Sequence, residues 1–545
     1  MICAICGKRD AVVFMRRSSG NGSGDIALCE ECARERGLSV GKGRIELRFE
    51  DLFSTPSTDT LPRPMTCPHC GLSLEELRAD GRLGCLACAE SFRPEIERYL
   101  RARSMGPLYV PDEAAKASGQ VPGAGSMDAG AALGAALGAA LAAEDYERAA
   151  VIRDGLSQAS SGIERKPLPV PASFVAFPFA AAVLGTGRQP SQSAALGASD
   201  SDVVLETRAC LQRNYLPPEA SSRRFASREE RQALAAALSA ALPSLPVVAL
   251  ADLEPRIQAA LVESGALPRS FVLDGTSSFA LSASSPVAVL LGAGDSLSIR
   301  ARLAGLDPSG ALEAVEGMAS SLSVLGAYAI DAEFGYLCEK LCDFGSGLTL
   351  ETLLHLPALA QEGQLEKALR SLLAHGLLVR GFYGSEAGSS GDLYEVVTDH
   401  AYGQAPSAMS RDFRQVIAHV VEAERRARAN LVERKFEDVL DRAGRGLGLL
   451  RNCRFVGAAE AASALSSLRL AALSGFLAEP GPAALGSRLR ALGPAAVRLA
   501  CAGAPVQGGR EGGLRRDEEK ARARLLAKLL EGSMLEDGGR RCSRD

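Results

Sequence analysis

Eight of the 14 cysteines in this chain fall before residue 90, all in Cys-x2-Cys pairs: Cys3/Cys6, Cys29/Cys32, Cys67/Cys70 and Cys85/Cys88. Two intervening residues let a tight turn bring both thiolates to one side, and two such turns complete a tetrahedral sulfur shell suited to Zn²⁺. The spacing predicts two sites and two zinc ions, one held by Cys3, Cys6, Cys29 and Cys32, the other by Cys67, Cys70, Cys85 and Cys88. A shell closed by cysteines has no open position for substrate, so both sites are structural. In modules this short the metal supplies folding free energy on the order of 10 kcal/mol. Lys8, Arg9 and His69 are placed to soften the thiolate charge, with His69 a neighbour or surface residue rather than a ligand. Redox dithiols and disulfides are the competing uses of such pairs, and a reducing compartment disfavours them.

A second candidate is VLLGAGDSLSIR, residues 289–300, where an apolar strand runs into Gly292-Ala293-Gly294-Asp295. Glycines at such a turn can bring backbone N–H groups against phosphate. The same glycines can equally mark an ordinary turn.

The elements that must position these residues are set out along 545 residues, enough for two to four domains. Lys plus Arg number 61 against 65 for Asp plus Glu, which gives no basis for a nucleic acid as the main partner. MICAICGKRD lacks an apolar signal core, and no run is long and uncharged enough to span a bilayer. A cytoplasmic location without membrane contact is expected. Composition divides the chain into the cysteine modules (1–104), a linker (105–130), a helical motif (131–160), a second linker (161–200), a mixed strand-and-helix region (201–502) and a C-terminal helix (503–545). The mixed region is α+β. Its segment from about Arg411 to Arg445 is periodic and charged and predicts one long helix.

The string EDYERAAVIRD, residues 144–154, resembles the UVR motif, a protein-interaction hairpin of excision-repair proteins, Clp-type unfoldases and the protein-arginine kinase activator. With two paired-cysteine modules before it, the second running through CGLSLEELRADGRLGCLACAESFR, the front of the chain resembles that activator family. From Ser201 onward, SDVVLETRACLQRN, FGYLCEKLCDFGSGLTLETLLHLPAL and LLVRGFYGSEAGSSGDLYEV are similar to bacterial protein-arginine kinases of the phosphagen, or guanidino, kinase family. The resemblance implies a multidomain α+β chain: small zinc modules, a UVR hairpin, and a guanidino-kinase-like fold with an antiparallel sheet flanked by helices.

It also implies where the chemistry belongs. In-line phosphoryl transfer is mostly positioning and charge neutralisation, so arginines for the phosphates and carboxylates for the guanidinium carry the rate. The family's Arg-x-Arg falls on Arg208-Ala209-Cys210. Its catalytic Glu falls on Gly294 and a phosphate Arg on Ser298, leaving Asp295. The reactive cysteine falls on Lys340, between Cys338 and Cys342. Another phosphate Arg falls on Thr349, and the second catalytic Glu on Ser385, beside Glu386. Arg208 and Arg380 are the phosphate arginines that remain for ATP, which the family takes as its magnesium complex. The phosphoarginine-receptor element corresponds to Arg516-Asp517-Glu518-Glu519-Lys520-Ala521, with Lys520 replacing an arginine as a point charge without the bidentate fork.

The leading expectation is therefore a zinc-binding adaptor with a pseudokinase domain, acting in Clp-linked quality control through a Clp-type unfoldase or an authentic arginine kinase. Self-association as a homodimer is the other partner expectation. Two alternatives stay open: a divergent ATP-dependent protein-arginine kinase using Glu386, Asp295 or Glu339 as base, and a nucleic-acid-associated UVR and zinc protein.

Overall fold

The computed structural model describes residues 66–103, 107–111, 200–216, 228–241, 247–263, 267, 277–281, 286–382, 389–500 and 511–536, with four short strands before residue 47. The first cysteine quartet and the helical motif at 131–160 lie outside the described residues. The chain divides into two compact units, one of Met1–Leu108 with Ser222–Arg224 and Glu339–Leu341, the other of the remainder.

In the first unit β1 (Val13–Ser19) pairs antiparallel with β2 (Gly22–Leu28), and β3 (Ser39–Gly41) with β4 (Arg44–Glu46). The second cysteine module carries α1 (Leu74–Asp80), α2 (Ala87–Ser91) and α3 (Arg93–Arg103). Ser73 and Glu76 form a reciprocal capping box that fixes where α1 begins, and Gly81, at φ 63°, ends it. Leu74, Leu77, Leu83, Phe92, Ile96 and Leu100 are buried among these elements.

The second unit is built on an 8-stranded sheet. In chain order its elements are β5 (Val204–Arg213), α4 (Arg228–Ala241), β6 (Val247–Ala249), α5 (Pro255–Glu263), β7 (Ser278–Leu281), β8 (Val287–Ala293), β9 (Asp295–Leu303), α6 (Pro308–Leu322), the β10–β11 pair (Ile330–Asp331 and Gly335–Tyr336), β12 (Leu348–His355), α7 (Pro357–Gln361), α8 (Leu365–Ala374), β13 (Leu377–Gly381) and β14 (Leu393–Thr398). The helices α9 (Pro406–Arg434), α10 (Phe436–Asn452), α11 (Ala458–Leu473), α12 (Pro482–Arg490), α13 (Pro494–Ala500) and α14 (Glu511–Leu529) follow. The strand order is β13-β14-β12-β5-β9-β8-β7-β6, antiparallel throughout.

The central strands alternate, which decides where a site can lie. Ala209 and Leu211 of β5, Leu297, Ile299 and Ala301 of β9, and Leu348 and Leu350 of β12 enter the main core. The intervening residues, Glu206, Arg208, Cys210, Gln212, Ser298, Arg300, Arg302, Thr349 and Glu351, belong to the opposite face by strand period. The single helix expected over 411–445 is two. Lys435, at φ −139° and ψ 34°, interrupts the helical backbone between α9 and α10 although its N–H still reaches Leu431 O. No glycine or proline stands there to signal the break.

A buried polar layer joins the sheet to the helices. Arg469 donates to His355 Nδ1 at 2.6 Å, the opposite ring nitrogen contacts Ser466 Oγ at 2.9 Å, and Ser466 donates to Asp392 at 2.6 Å. Because the guanidinium can only donate, Nδ1 accepts and Nε2 carries the proton. Burial, then Arg469 and Arg428, hold the ring well below the usual histidine range, so it stays neutral. Nearby, Glu424 accepts the N–H groups of Ala358 and Leu359 at 2.8 and 2.9 Å, the first turn of α7. Burial pushes its carboxyl up to about 7, against those N–H groups and Arg428, with Asp392 adding to the rise. A raised folded value means this group's stabilising contribution is full below its unfolded value near 4.5 and is lost as pH climbs through about 7. We expect the unit to lose stability on the order of 3 kcal/mol between pH 4.5 and 7.5 through this group, and Glu424→Gln to flatten that slope in urea titrations. Asp202, held down to about 2 by Arg425 and Arg428 despite burial, changes only at more acid pH, whereas neutral His355 adds stability as pH rises toward 6.5, so the difference between parent and Glu424→Gln is what isolates the Glu424 slope.

Candidate functional site

The second cysteine quartet comes together as the spacing predicts. The sulfurs of Cys67 and Cys85 are 3.8 Å apart, Cys70 and Cys88 3.3 Å, and Cys85 and Cys88 3.7 Å. All four ligand atoms lie within 4.8 Å of one another. A zinc ion about 2.3 Å from each sulfur requires edges of about 3.8 Å, so the residues fit the metal. Gly84 is required: a Cβ there would stand 2.7 Å from Cys70 Sγ. His69 is exposed.

The polar face of the sheet is a network of guanidinium and carboxylate groups. Arg208, from the middle of β5, bonds Glu206 on its own strand, Glu351 at 3.2 Å on β12 and Glu395 at 2.8 Å on β14. Arg380, on edge strand β13, donates to the other oxygen of Glu395 at 2.5 Å. Glu395 thus stands between the two arginines that the sequence leaves for phosphate. Glu206 also receives Arg302 of β9 at 2.5 Å and Arg490 of α12. Burial alone would raise the Glu206 carboxyl, yet Arg208, Arg302 and Arg490 hold it well below the usual carboxylate range. Burial likewise opposes the charge of Arg208, and its carboxylate partners more than restore it, raising its affinity for the proton.

The positions where the family resemblance places further arginines are neighbours. Cys210 pairs with Thr349 across β5 and β12, and its sulfur lies 3.4 Å from Ser298 Oγ. Small side chains therefore stand where arginines would converge. Arg300, one register step along β9, donates to Ser298 Oγ at 3.4 Å.

The glycine stretch is a hairpin turn. Ala293 pairs with Asp295 across the β8–β9 connection, and Gly292 and Gly294 adopt φ of 82° and 102°. A Cβ at Gly292 would come within 2.2 Å of the Arg231 side chain, which explains the glycine without a phosphate. Asp295 is buried and accepts from Asn214 at 2.6 Å, while Asn214 Oδ1 accepts the Ser296 N–H at 2.7 Å. Its described role is to hold the turn onto the end of β5, and it is not among the carboxylates bonded to Arg208 and Arg380. Glu339 is ion-paired with Arg82 at 3.5 Å. Glu386 lies outside the described residues. Cys338 is buried, with its thiol 3.4 Å from Asp343 O, and burial, then Asp295 and Asp343, push it well above the ordinary thiol range. Such a thiol is inert. Lys340 is exposed.

Arg516, Asp517 and Lys520 are exposed on α14, with Arg516 over the ring of Phe455 at 5.0 Å. The adjacent Arg522 is instead buried, donating to Leu492 O and Val456 O.

Sequence reasoning missed Glu206, Glu351, Glu395, Arg300, Arg302 and Arg490. Period-two alternation on β5, β9 and β12 would have placed Glu206, Arg300, Arg302 and Glu351 beside Arg208. Arg490 reaches the site from a helix 284 residues away in sequence, a proximity only the fold supplies.

Comparison with known proteins follows the same division. Residues 229–427 match the model of the ATP:guanido phosphotransferase C-terminal catalytic domain, and residues 65–107 that of the McsA central zinc-finger domain. A protein-arginine kinase of Exiguobacterium sp. is 30% identical over 284 residues, spanning 52% of this chain and 81% of the relative. One from Shouchella clausii is 28% identical over 286 residues, 51% of this chain and 80% of the relative. Among solved structures, the duplicated taurocyamine kinase of Schistosoma mansoni aligns with TM-score 0.40 and 14% identity, covering 63% of this chain and 40% of that one.

Proposed function

Because this chain belongs to the protein-arginine kinase family and carries a McsA-type zinc finger ahead of the kinase-like domain, we propose that it is a zinc-bearing regulatory protein whose kinase-like unit no longer transfers phosphate. One observation carries this reading: Glu395 bonds Arg208 and Arg380 together, so a carboxylate occupies the gap that a nucleotide phosphate would need. An entering phosphate would have to displace Glu395 and then stand beside Glu206 and Glu351, where like charges at short range in a poorly hydrated site repel strongly. The replacement of the other arginine positions by Cys210, Ser298 and Thr349 supports the same conclusion. So does the engagement of Asp295 by Asn214, because a carboxylate tied into a turn is poorly placed as a general base.

Under this reading the chain acts through partners in Clp-linked protein quality control in the cytoplasm. Its UVR and zinc modules engage a Clp-type unfoldase or an authentic arginine kinase, two zinc ions are bound, and the kinase-like unit serves as a scaffold that is able to form a homodimer. Arg516, Asp517 and Lys520 form an exposed, weakened phosphoarginine receptor. Among the described residues no helix is long and apolar enough to cross a membrane.

The competing enzyme reading draws on Arg300, Arg302 and Arg490, which supply cations to the same face. An acid-labile phosphoarginine assay on the full-length chain with Mg-ATP and an arginine-bearing protein substrate separates the two. No phosphoarginine above a no-enzyme control is expected, and turnover would sink the pseudokinase reading.

A further inference from the structure

The zinc unit includes a piece of chain from far along the sequence. Arg82 and Lys340 form an antiparallel β-bridge: the Leu83 N–H donates to Glu339 O at 2.7 Å and the Leu341 N–H to Gly81 O at 3.0 Å. The Arg82 and Glu339 side chains meet 3.5 Å apart across a sequence separation of 257 residues. Leu83 and Leu341 are both buried, and Lys340 points its charge to solvent. This is strand addition in miniature, with main-chain bonds giving affinity and alternate side chains giving selectivity.

The receiving edge is built by the metal site. Gly81 closes α1 through its N–H to Leu77 O, and Leu83 stands two residues before the ligand Cys85. Between them and the sulfurs, Gly84 lies so close to Cys70 Sγ that no side chain fits. The Gly81–Leu83 backbone, left-handed at Gly81 and bridged at Arg82, therefore keeps its shape while the two cysteine turns are gathered together, and in a module of this size the metal is what gathers them.

We propose that the Gly81–Leu83 edge of the zinc module is a docking surface for an extended segment bearing an acidic residue two positions before an apolar one, that its occupant is this chain's own Glu339–Leu341, and that zinc binding controls the docking. The coupling runs both ways: metal orders the edge, and the docked segment raises the affinity for metal by the same thermodynamic linkage. Glu339–Leu341 belongs to the same compact unit as the zinc module, so zinc occupancy sets the conformation of these three residues. The inference does not depend on whether the kinase-like unit transfers phosphate.

Amide hydrogen exchange on the full-length zinc-loaded chain, before and after chelation, tests it directly. Removing the metal is expected to speed exchange at Leu83 and Leu341 at least about tenfold while the amides of β5 keep their protection, as expected when one local unit opens without the rest. Unchanged protection at Leu341 in the metal-free chain would overturn the proposal. A second measurement uses variants that retain every cysteine. R82E and E339R are each expected to weaken zinc affinity, measured at equilibrium against a competing chelator, about two- to fivefold, the range for a partly exposed ion pair. The double variant R82E/E339R is expected to return to within about twofold of the parent, because the pair is re-formed in reverse. Additive loss of zinc affinity in the double variant, or no change in either single one, counts against it.

Discussion

Glu206→Gln is expected to lower the unfolding free energy of the kinase-like unit by about 3–5 kcal/mol, the cost of leaving buried charge without its partner. Glu206 is the shared acceptor of Arg208, Arg302 and Arg490, and only 1% of its side chain is exposed. Arg208 keeps Glu351 and Glu395 after the substitution, whereas Arg302 and Arg490 lose a full counter-charge in a site with little water. The amide preserves shape and removes charge, which isolates the electrostatic part. Urea unfolding of the full chain measures it, with Glu366→Gln as the comparison. That residue pairs with Arg370 on the surface, both side chains at least 75% exposed, and its loss should cost under about 1 kcal/mol. Equal effects at the two positions would mean that the guanidinium network is hydrated and contributes little.

The second large effect is expected at Cys88, which is fully buried within the sulfur cluster. Cys88→Ser removes one thiolate from a four-cysteine shell, and the metal's share of folding, on the order of 10 kcal/mol, goes with it. Native mass spectrometry should find two zinc ions in the parent and one in the variant. Exchange protection in α1 to α3 should collapse while the sheet is unchanged. An unaltered zinc count would remove this residue from the ligand set.

What the sequence made legible follows the range of the physics involved. Cys67, Cys70, Cys85 and Cys88 were readable because the geometry that joins them is encoded within each pair: a two-residue turn brings two thiolates to one side. The sheet was readable as α+β for the same local reason, since period-two alternation at Leu297, Ile299 and Ala301 is written in consecutive residues. The break at Lys435 was not, because a single residue outside helical geometry carries no side-chain signature. Glu395 bridging Arg208 and Arg380 was not either. Family resemblance points to positions where expected residues are missing, and Glu395 is not one of them. The bond between Leu341 and Gly81 is longer still in sequence range, and nothing in either local string announces it. At Gly292 and Gly294 glycine alone was ambiguous, because both a phosphate cradle and a hairpin turn need it, and the pairing of Ala293 with Asp295 identifies the turn.

The proposed function rests on Glu395, Glu206 and Glu351 neutralising Arg208, Arg380, Arg302 and Arg490 on this face of the sheet. Isothermal calorimetry of the full-length zinc-loaded chain with Mg-ATP and Mg-ADP tests this most directly. No saturable heat is expected at millimolar nucleotide. Saturable binding of Mg-ATP that is weakened by Arg208→Ala would contradict it, since the arginine would then be holding phosphate rather than the carboxylates around it.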